Sequence, residues 1–282
     1  MHVLASPRIR RRPRRSASPG AGIPFEDRYD YNARTGLFEP RVFNRALAVN
    51  QLIGFGAGGG AGFLPTDLLA LILWLDSTDT ATITLNGPNV SQWDDKSPKG
   101  FDFAEGTAGN QPLFIASGIN GLGTVSFDGG TEKMTSTALA STVQSYTAYF
   151  GLDQKDESIS WQSMFCVSTE DLFFVATDGA GGEVGFAQNG GHKVQADAVL
   201  GVQLLSFLLN SSGTSSEMWR NSSSLGTGAY IVKDISGTTR LASNPDADTN
   251  EGDYQQVLIY EEAQSAGNRG SVESYLMGRL GI

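Results

Sequence analysis

From residue 68 to residue 260 the chain alternates between short apolar stretches and clusters of Gly, Ser, Thr, Asn and Asp. The apolar stretches read LLALILWL (68–75), ATITL (81–85), VSQW (90–93), GTVSF (123–127), YTAYFGL (146–152), SMFCV (163–167), DLFFVAT (171–177), EVGFAQ (183–188), VQLLSFLL (202–209), SSEMWR (215–220) and YQQVLIY (254–260). Each has the length of a strand and is bounded by turn-forming residues, so the pattern predicts many short strands packed as a sandwich or jelly roll. Only the end of the chain changes period. In AGNRGSVESYLMGRLGI (266–282), Val272, Tyr275 and Leu276 fall at i, i+3 and i+4, which predicts a helix placed over one end of the sandwich.

The first 66 residues follow neither period. Residues 1–24 are Arg, Pro, Ser, Ala and Gly with almost no apolar pattern, and such a segment is expected to order only on binding. Residues 25–53 differ, because Phe25, Tyr29, Tyr31, Leu37, Phe38, Val42, Phe43 and Leu47 are spaced through them as if to dock, with a short helix predicted after Pro40. GFGAGGGAG (54–62) then reads as a hinge. Its G-x-G-x-x-G match, Gly54 to Gly59, is not followed by the helix a phosphate site needs; Phe63, Leu64 and Pro65 come next. Two parts result: an arm and hinge over 1–66 and a β domain over 67–282.

Composition sharpens the fold class. Thirty-five glycines and only 18% charged residues suit tight turns between strands, and the expected class is all-β. The one cysteine, Cys166, lies inside SMFCVS and reads as a buried thiol rather than half of a disulfide. LLALILWL falls far short of the ~20 residues of a membrane span. The basic beginning lacks a following apolar stretch of signal-peptide length, so secretion by that route is not expected.

Charge separates the two parts. The net formal charge is -10, yet residues 1–66 carry ten arginines and four acids, a surplus of +6, which leaves the rest at -16. Six of the arginines, Arg8, Arg10, Arg11, Arg12, Arg14 and Arg15, fall within eight residues. Such asymmetry assigns the arm to an anionic partner and the body to another task.

Four stretches, LILWLDSTDTATITLNGPNVSQWDDKSPKG (71–100), NQPLFIASGINGLGTVSFDGGTEKM (110–134), LLSFLLNSSGTSSEMWRNSSSLGTG (204–228) and YQQVLIYEEAQSAGNRGSVESYLMGRLGI (254–282), carry a resemblance. In their order they are similar to the laminin-G-like, concanavalin-A-like jelly-roll domains common in bacteriophage virion proteins and bacterial surface proteins. The resemblance covers about 68–282 and leaves the arm outside. It implies two stacked antiparallel sheets with a concave face and a loop rim that many relatives use to bind carbohydrate or protein. Fold alone does not name a ligand.

Jelly-roll glucanases place three carboxylates at alternate positions of one strand so that all face one cleft. In EGDYQQ (251–256), Glu251 and Asp253 fit, but Gln255 and Gln256 stand where the third carboxylate belongs, so glycosidase chemistry is not expected. Serine hydrolysis is not expected either, since G-x-S-x-G is missing and the histidines are His2 and His192, the latter in the predicted turn NGGHKV. NPDADTNEGD (244–253) offers Asp246, Asp248, Asn250 and Asp253 as oxygen ligands for Ca2+, although Glu251 replaces the turn glycine of an EF-hand loop; a solvated acidic turn is the competing reading. Asp76, Asp79, Asp94 and Asp95 raise the same question less strongly. Trp74, Trp93 and Trp219 lie in strand-like runs and are assigned to the core, leaving Trp161 as the tryptophan placed to stack on a sugar.

The sequence-based expectation is a structural protein of a virion, in head decoration, head fibre or tail fibre. Arg8 to Arg15 with Phe25, Tyr29, Tyr31, Phe38 and Phe43 would dock on capsid or tail proteins, and the jelly roll would face outward to protein or host-surface glycan. A non-virion carbohydrate-binding adhesin is the alternative. A nucleic-acid-binding capsid protein is a weaker one, because a body at -16 repels nucleic acid. A homo-oligomer is expected, a trimer suiting a fibre.

Overall fold

The computed structural model describes residues 29–32, 37–40, 62–141, 143–156, 162–167, 172–177, 182–188, 191–232, 235–244 and 249–282. The chain divides into two compact units, Met1–Gly60 and Ala61–Ile282. In the first, β1 (Tyr29–Asn32) pairs antiparallel with β2 (Leu37–Pro40), setting Tyr31 opposite Phe38.

The second unit begins with β3 (Leu71–Asp76), β4 (Ile83–Asn86), β5 (Asn89–Trp93), β6 (Phe103–Ala104), β7 (Leu113–Ile115) and β8 (Thr124–Asp128). β9 (Met134–Ser141), β10 (Tyr146–Gln154), β11 (Gln162–Val167), β12 (Leu172–Thr177), β13 (Glu183–Gln188) and β14 (Gly191–Asp197) follow. The chain closes with β15 (Gly201–Asn210), β16 (Ser215–Arg220), β17 (Ser223–Ala229), β18 (Ile235–Leu241), β19 (Glu251–Tyr260) and the helix α1 (Ala266–Leu280).

Hydrogen bonding joins β3 to β19 into one antiparallel sheet that folds on itself into two layers. The first layer runs β17–β16–β15–β10–β19, and β19 pairs with β8 through its first half and with β3 through its second. The other layer runs β14–β13–β12–β11–β18–β9–β6–β5–β4. β7 connects the layers by pairing with both β8 and β5. The all-β sandwich expected from the strand pattern is therefore the architecture.

Aromatic side chains fill the space between the layers. Phe150 and Phe207 of the first layer meet Phe165 and Phe174 of the other, with Phe150–Phe174 ring centres 5.1 Å apart and Phe174–Phe207 4.9 Å. Tilted rings at such separations add to the area burial that drives the packing.

β10, β15 and β19 are buried on both faces, which is why YTAYFGL, LLSFLL and VLIY read as continuous apolar runs instead of alternating. Their outer face lies beneath α1: Tyr149, Leu204, Leu258 and Tyr260 form one cluster with Val272, Leu276 and Leu280. The helix thus covers a face of the sandwich rather than an end. Three glycines, Gly267, Gly270 and Gly278, make AGNRGSVESYLMGRL a weak helix by itself, so packing and caps must hold it. Ser265 Oγ accepts the Asn268 N–H at 3.2 Å, and Gly281 closes the helix in the left-handed region at φ 77°.

WDDKS (93–97) seals the free edge of β3. Asp95 Oδ1 accepts the Trp74 N–H at 2.8 Å, the Lys96 N–H donates to the Trp74 carbonyl at 2.9 Å, and Ser97 Oγ donates to the Ile72 carbonyl at 2.9 Å. An edge strand left bare would be a template for pairing with other chains, and this loop occupies its polar groups.

Candidate ligand-binding cleft

The two layers are continuous on one side and separate on the other, where the edge strands β14 and β17 lie against each other without a ladder between them. A cleft of about 390 Å³ opens at that seam, lined by Lys193, Val194, Gln195, Leu225, Gly226 and Thr227. Its size lies within the range of small-ligand sites.

Two β-bulges build it. On β14, Val194 pairs with Phe186 and His192 with Ala187, so Lys193 is an extra residue with no partner in the register. On β17, Gly226 pairs with Met218 and Ser224 with Trp219, and Leu225 is the extra residue. A bulge in an edge strand turns one side chain away from the regular alternation. Here both extra residues line the same cleft, one supplying an ammonium and the other an apolar surface. Gly226, at φ 147°, provides the backbone shape that the bulge on β17 requires.

The seam closes beyond the cleft. At Gly228 a Cβ would stand 1.5 Å from the Lys193 carbonyl oxygen, so only glycine lets the two backbones approach so closely. On the β14 side, Gln195 Nε2 donates to Glu183 Oε1 at 2.9 Å, which orients its carboxamide. Arg220 braces the loop from β14 to β15, donating through Nη2 to the Asp197 carbonyl at 2.7 Å and through Nε to Gln203 Oε1 at 2.9 Å. Burial pulls the Arg220 guanidinium below its ordinary range, opposed by the negative charge of Asp197.

The sequence did not mark this cleft. Its bulged residues fall in GHKVQAD and SSLGTGA, where two small apolar side chains, Val194 and Ala196, are the only trace of alternation in the first and the second has none. NGGHKV was expected to be a turn; the chain is strand from Gly191 onward, with β13 as its pairing partner.

The residues that the sequence did mark lie elsewhere. Arg8, Arg10, Arg11, Arg12, Arg14, Arg15, Phe25, Phe43, Trp161, Asp246 and Asp248 fall outside the described residues, as does the helix predicted after Pro40. Tyr29, Tyr31 and Phe38 belong to the β1–β2 hairpin. Asn250 is fully buried; its Nδ2 donates to Gln154 Oε1 at 3.1 Å and to Gln162 Oε1 at 2.9 Å, and its Oδ1 accepts the Tyr254 hydroxyl. Asp253 faces Lys155 at 3.3 Å, in an ion-pair group that also includes Asp153. The described half of the predicted calcium loop is thus satisfied by protein groups. Among the described residues, no set of three or more His, Cys, Asp or Glu side chains is arranged to hold a metal ion.

Trp74, Trp93 and Trp219 are buried, as is Cys166, and Cys166 packs with Ala187 apart from the main core. Asp76 and Asp79 share the Lys96 ammonium at 3.0 and 2.8 Å, which itself sits 4.4 Å from the Trp74 ring centre. Gln255, in the place of a third carboxylate, donates to the Ile119 carbonyl at 3.0 Å. No helix among the described residues is long and apolar enough to cross a membrane.

No protein-family model matches the chain, and no curated protein matches it. Solved structures do. Trypanosoma rangeli sialidase in complex with sialic acid superposes at a TM-score of 0.55 and 11% identity, covering 80% of this chain and 35% of its own. A GH54 α-L-arabinofuranosidase soaked with a cyclic sulfate inhibitor superposes at 0.54 and 11% identity, covering 67% of this chain and 50% of its own. The chain therefore spans between about a third and a half of these proteins. At such identity the likeness establishes a shared β-sandwich fold.

Proposed function

We propose that this chain is a recognition module whose β-sandwich binds carbohydrate at the β14–β17 cleft, presented by the basic N-terminal segment. The observation that carries the reading is the pair of bulges that turn Lys193 and Leu225 into one cleft beside Gln195 and Thr227. A sugar ring is amphipathic, with an apolar face of C–H groups and a rim of hydroxyls. Leu225 suits the first; the carboxamide of Gln195, the hydroxyl of Thr227 and the ammonium of Lys193 suit the second. The sandwich folds that it resembles belong to proteins named for their action on glycosides, which supports the same reading. We read the module as binding rather than hydrolysing, because Gln255 stands where a third catalytic carboxylate would and Asp253 is held by Lys155.

The test is titration of the full chain with lactose and with its sialylated derivative, followed by the Gln195→Ala/Thr227→Val double variant. Saturable binding that the double variant weakens supports the reading. A full chain that binds neither sugar at millimolar concentration refutes it.

The charge asymmetry of the sequence favours a second, compatible reading, in which the module is a virion component. Arg8 to Arg15 would pair with carboxylates of a particle while the aromatic residues between Phe25 and Phe43 dock. Co-sedimentation of the full chain and of a variant with those six arginines changed to serine, each with particles lacking the protein, tests it.

A further inference from the structure

Resting on the carbohydrate reading of the β14–β17 cleft, we infer that its ligand is an acidic sugar, one bearing a carboxylate, and that Lys193 selects it. Among the described residues that line the cleft, Lys193 is the only cationic one. It reaches that position by being the extra residue of a bulge, between His192 and Val194, which both pair with β13. Among the described residues it enters no ion pair, whereas Lys96, Lys99, Lys155 and Arg269 each do.

The carboxylates nearest in the register do not take it. Glu183 accepts the Gln195 side chain at 2.9 Å. Asp197 lies beside Arg220 at the far end of β14, where its charge acts on that guanidinium. Glu217 pairs with Thr227 across the β16–β17 ladder and is the remaining acid next to the cleft. A neutral sugar would leave the ammonium to water, and a carboxylate would give it a charge-assisted hydrogen bond. Leu225 supplies the apolar floor for either kind of sugar, so charge selection and ring stacking reside in different residues. That separation makes the inference testable apart from the reading beneath it.

The probes are lactose and 3′-sialyllactose, which share the same neutral disaccharide, titrated into the full chain by calorimetry at low salt. The expected result is that the acidic sugar binds about tenfold tighter than lactose, a difference of about 1.4 kcal/mol. Lys193→Gln should bring the two affinities together by weakening only the acidic one, and Lys193→Arg should keep the preference. Leu225→Ala should weaken both sugars alike. Melting curves confirm that each variant is folded; Lys193 is partly exposed, so its substitution leaves the core intact. Equal affinity for both sugars in the parent chain overturns the inference and leaves the carbohydrate reading standing. A preference that survives Lys193→Gln also overturns it, since the charge would then be read elsewhere. If the parent binds neither sugar, both the inference and the carbohydrate reading fall.

Discussion

The guanidinium of Arg269 lies 3.8 Å from the centre of the Trp219 ring and also faces the carboxylate of Glu273, with Nε 3.4 Å from Oε1. Helix and sheet are therefore joined by a stacked cation as well as by Val272, Leu276 and Leu280. Glu273 is almost fully buried, so removing Arg269 alone leaves a buried charge without its partner. Arg269→Ala is expected to cost about 3–5 kcal/mol. The Arg269→Met/Glu273→Leu pair should recover most of that loss, because two apolar side chains leave no charge to desolvate. Urea denaturation of the three proteins measures this, and a double variant as unstable as the single one would contradict it.

Asp95 caps the edge of β3 with three backbone N–H groups, those of Trp74, Ser97 and Phe101, each at 2.8 Å. Asp95→Ala deprives all three of their acceptor and bares the strand edge. A loss of about 3 kcal/mol is expected, with a greater tendency to aggregate on heating. Asp95→Asn keeps one oxygen and should lose less. Melting temperature and light scattering, recorded together, check both effects.

Gly228→Ala tests the seam. The added Cβ would meet the Lys193 carbonyl, which is backbone and cannot rotate away. The edge strands must part, at an expected loss of about 1–3 kcal/mol. The cleft should widen at the same time, so ligand affinity should fall more than in a control substitution at exposed Ser223. Equal affinities in the two variants would show that the seam does not shape the cleft.

Glu132 gives the fold a pH dependence. Burial pushes its carboxyl up to about 7 from an ordinary 4.5, against the opposing effect of the Asp128 N–H that it accepts, and the charge of Asp128 adds to the rise. Because the folded-state value is the higher one, the folded chain takes up this proton first. Stability from this group is present below about pH 4.5 and is lost as pH rises through about 7. Glu132→Gln, which cannot ionise and keeps an acceptor oxygen, should melt at a higher temperature than the parent at about pH 8. The gap should narrow towards about pH 5. A constant gap across that range would assign the effect to packing instead.

The sequence revealed the central strands and hid the edges, for a physical reason. Runs such as LLSFLL in β15 and VLIY in β19 are apolar because the core covers one face and α1 the other. The same double burial moved the helix from its expected place at one end of the sandwich onto the sheet face. β14 and β17 face water along one side; GHKVQAD alternates only through Val194 and Ala196, and SSLGTGA has no apolar alternation. The bulges are harder still to read, since Lys193 and Leu225 are extra residues only relative to the strands beside them, and pairing is not written in either strand alone. WDDKS was legible as a feature, but its acids suggested a cation site. Asp95 instead caps the edge of β3, because backbone N–H groups fold back onto it, and Lys96 of the same stretch pairs with Asp76 and Asp79.

The connection of the two layers through β7 gives the domain a spine and leaves β14 and β17 as the fore-edge of a book. Spreading the covers at the spine would break ladder bonds between β5, β7 and β8. Parting β14 and β17 at the fore-edge breaks no ladder, only side-chain bonds such as those from Arg220 to the Asp197 carbonyl and between Gln188 and Ile231. Separation at the fore-edge therefore costs fewer hydrogen bonds than separation at the spine, on the opposite side of the sandwich.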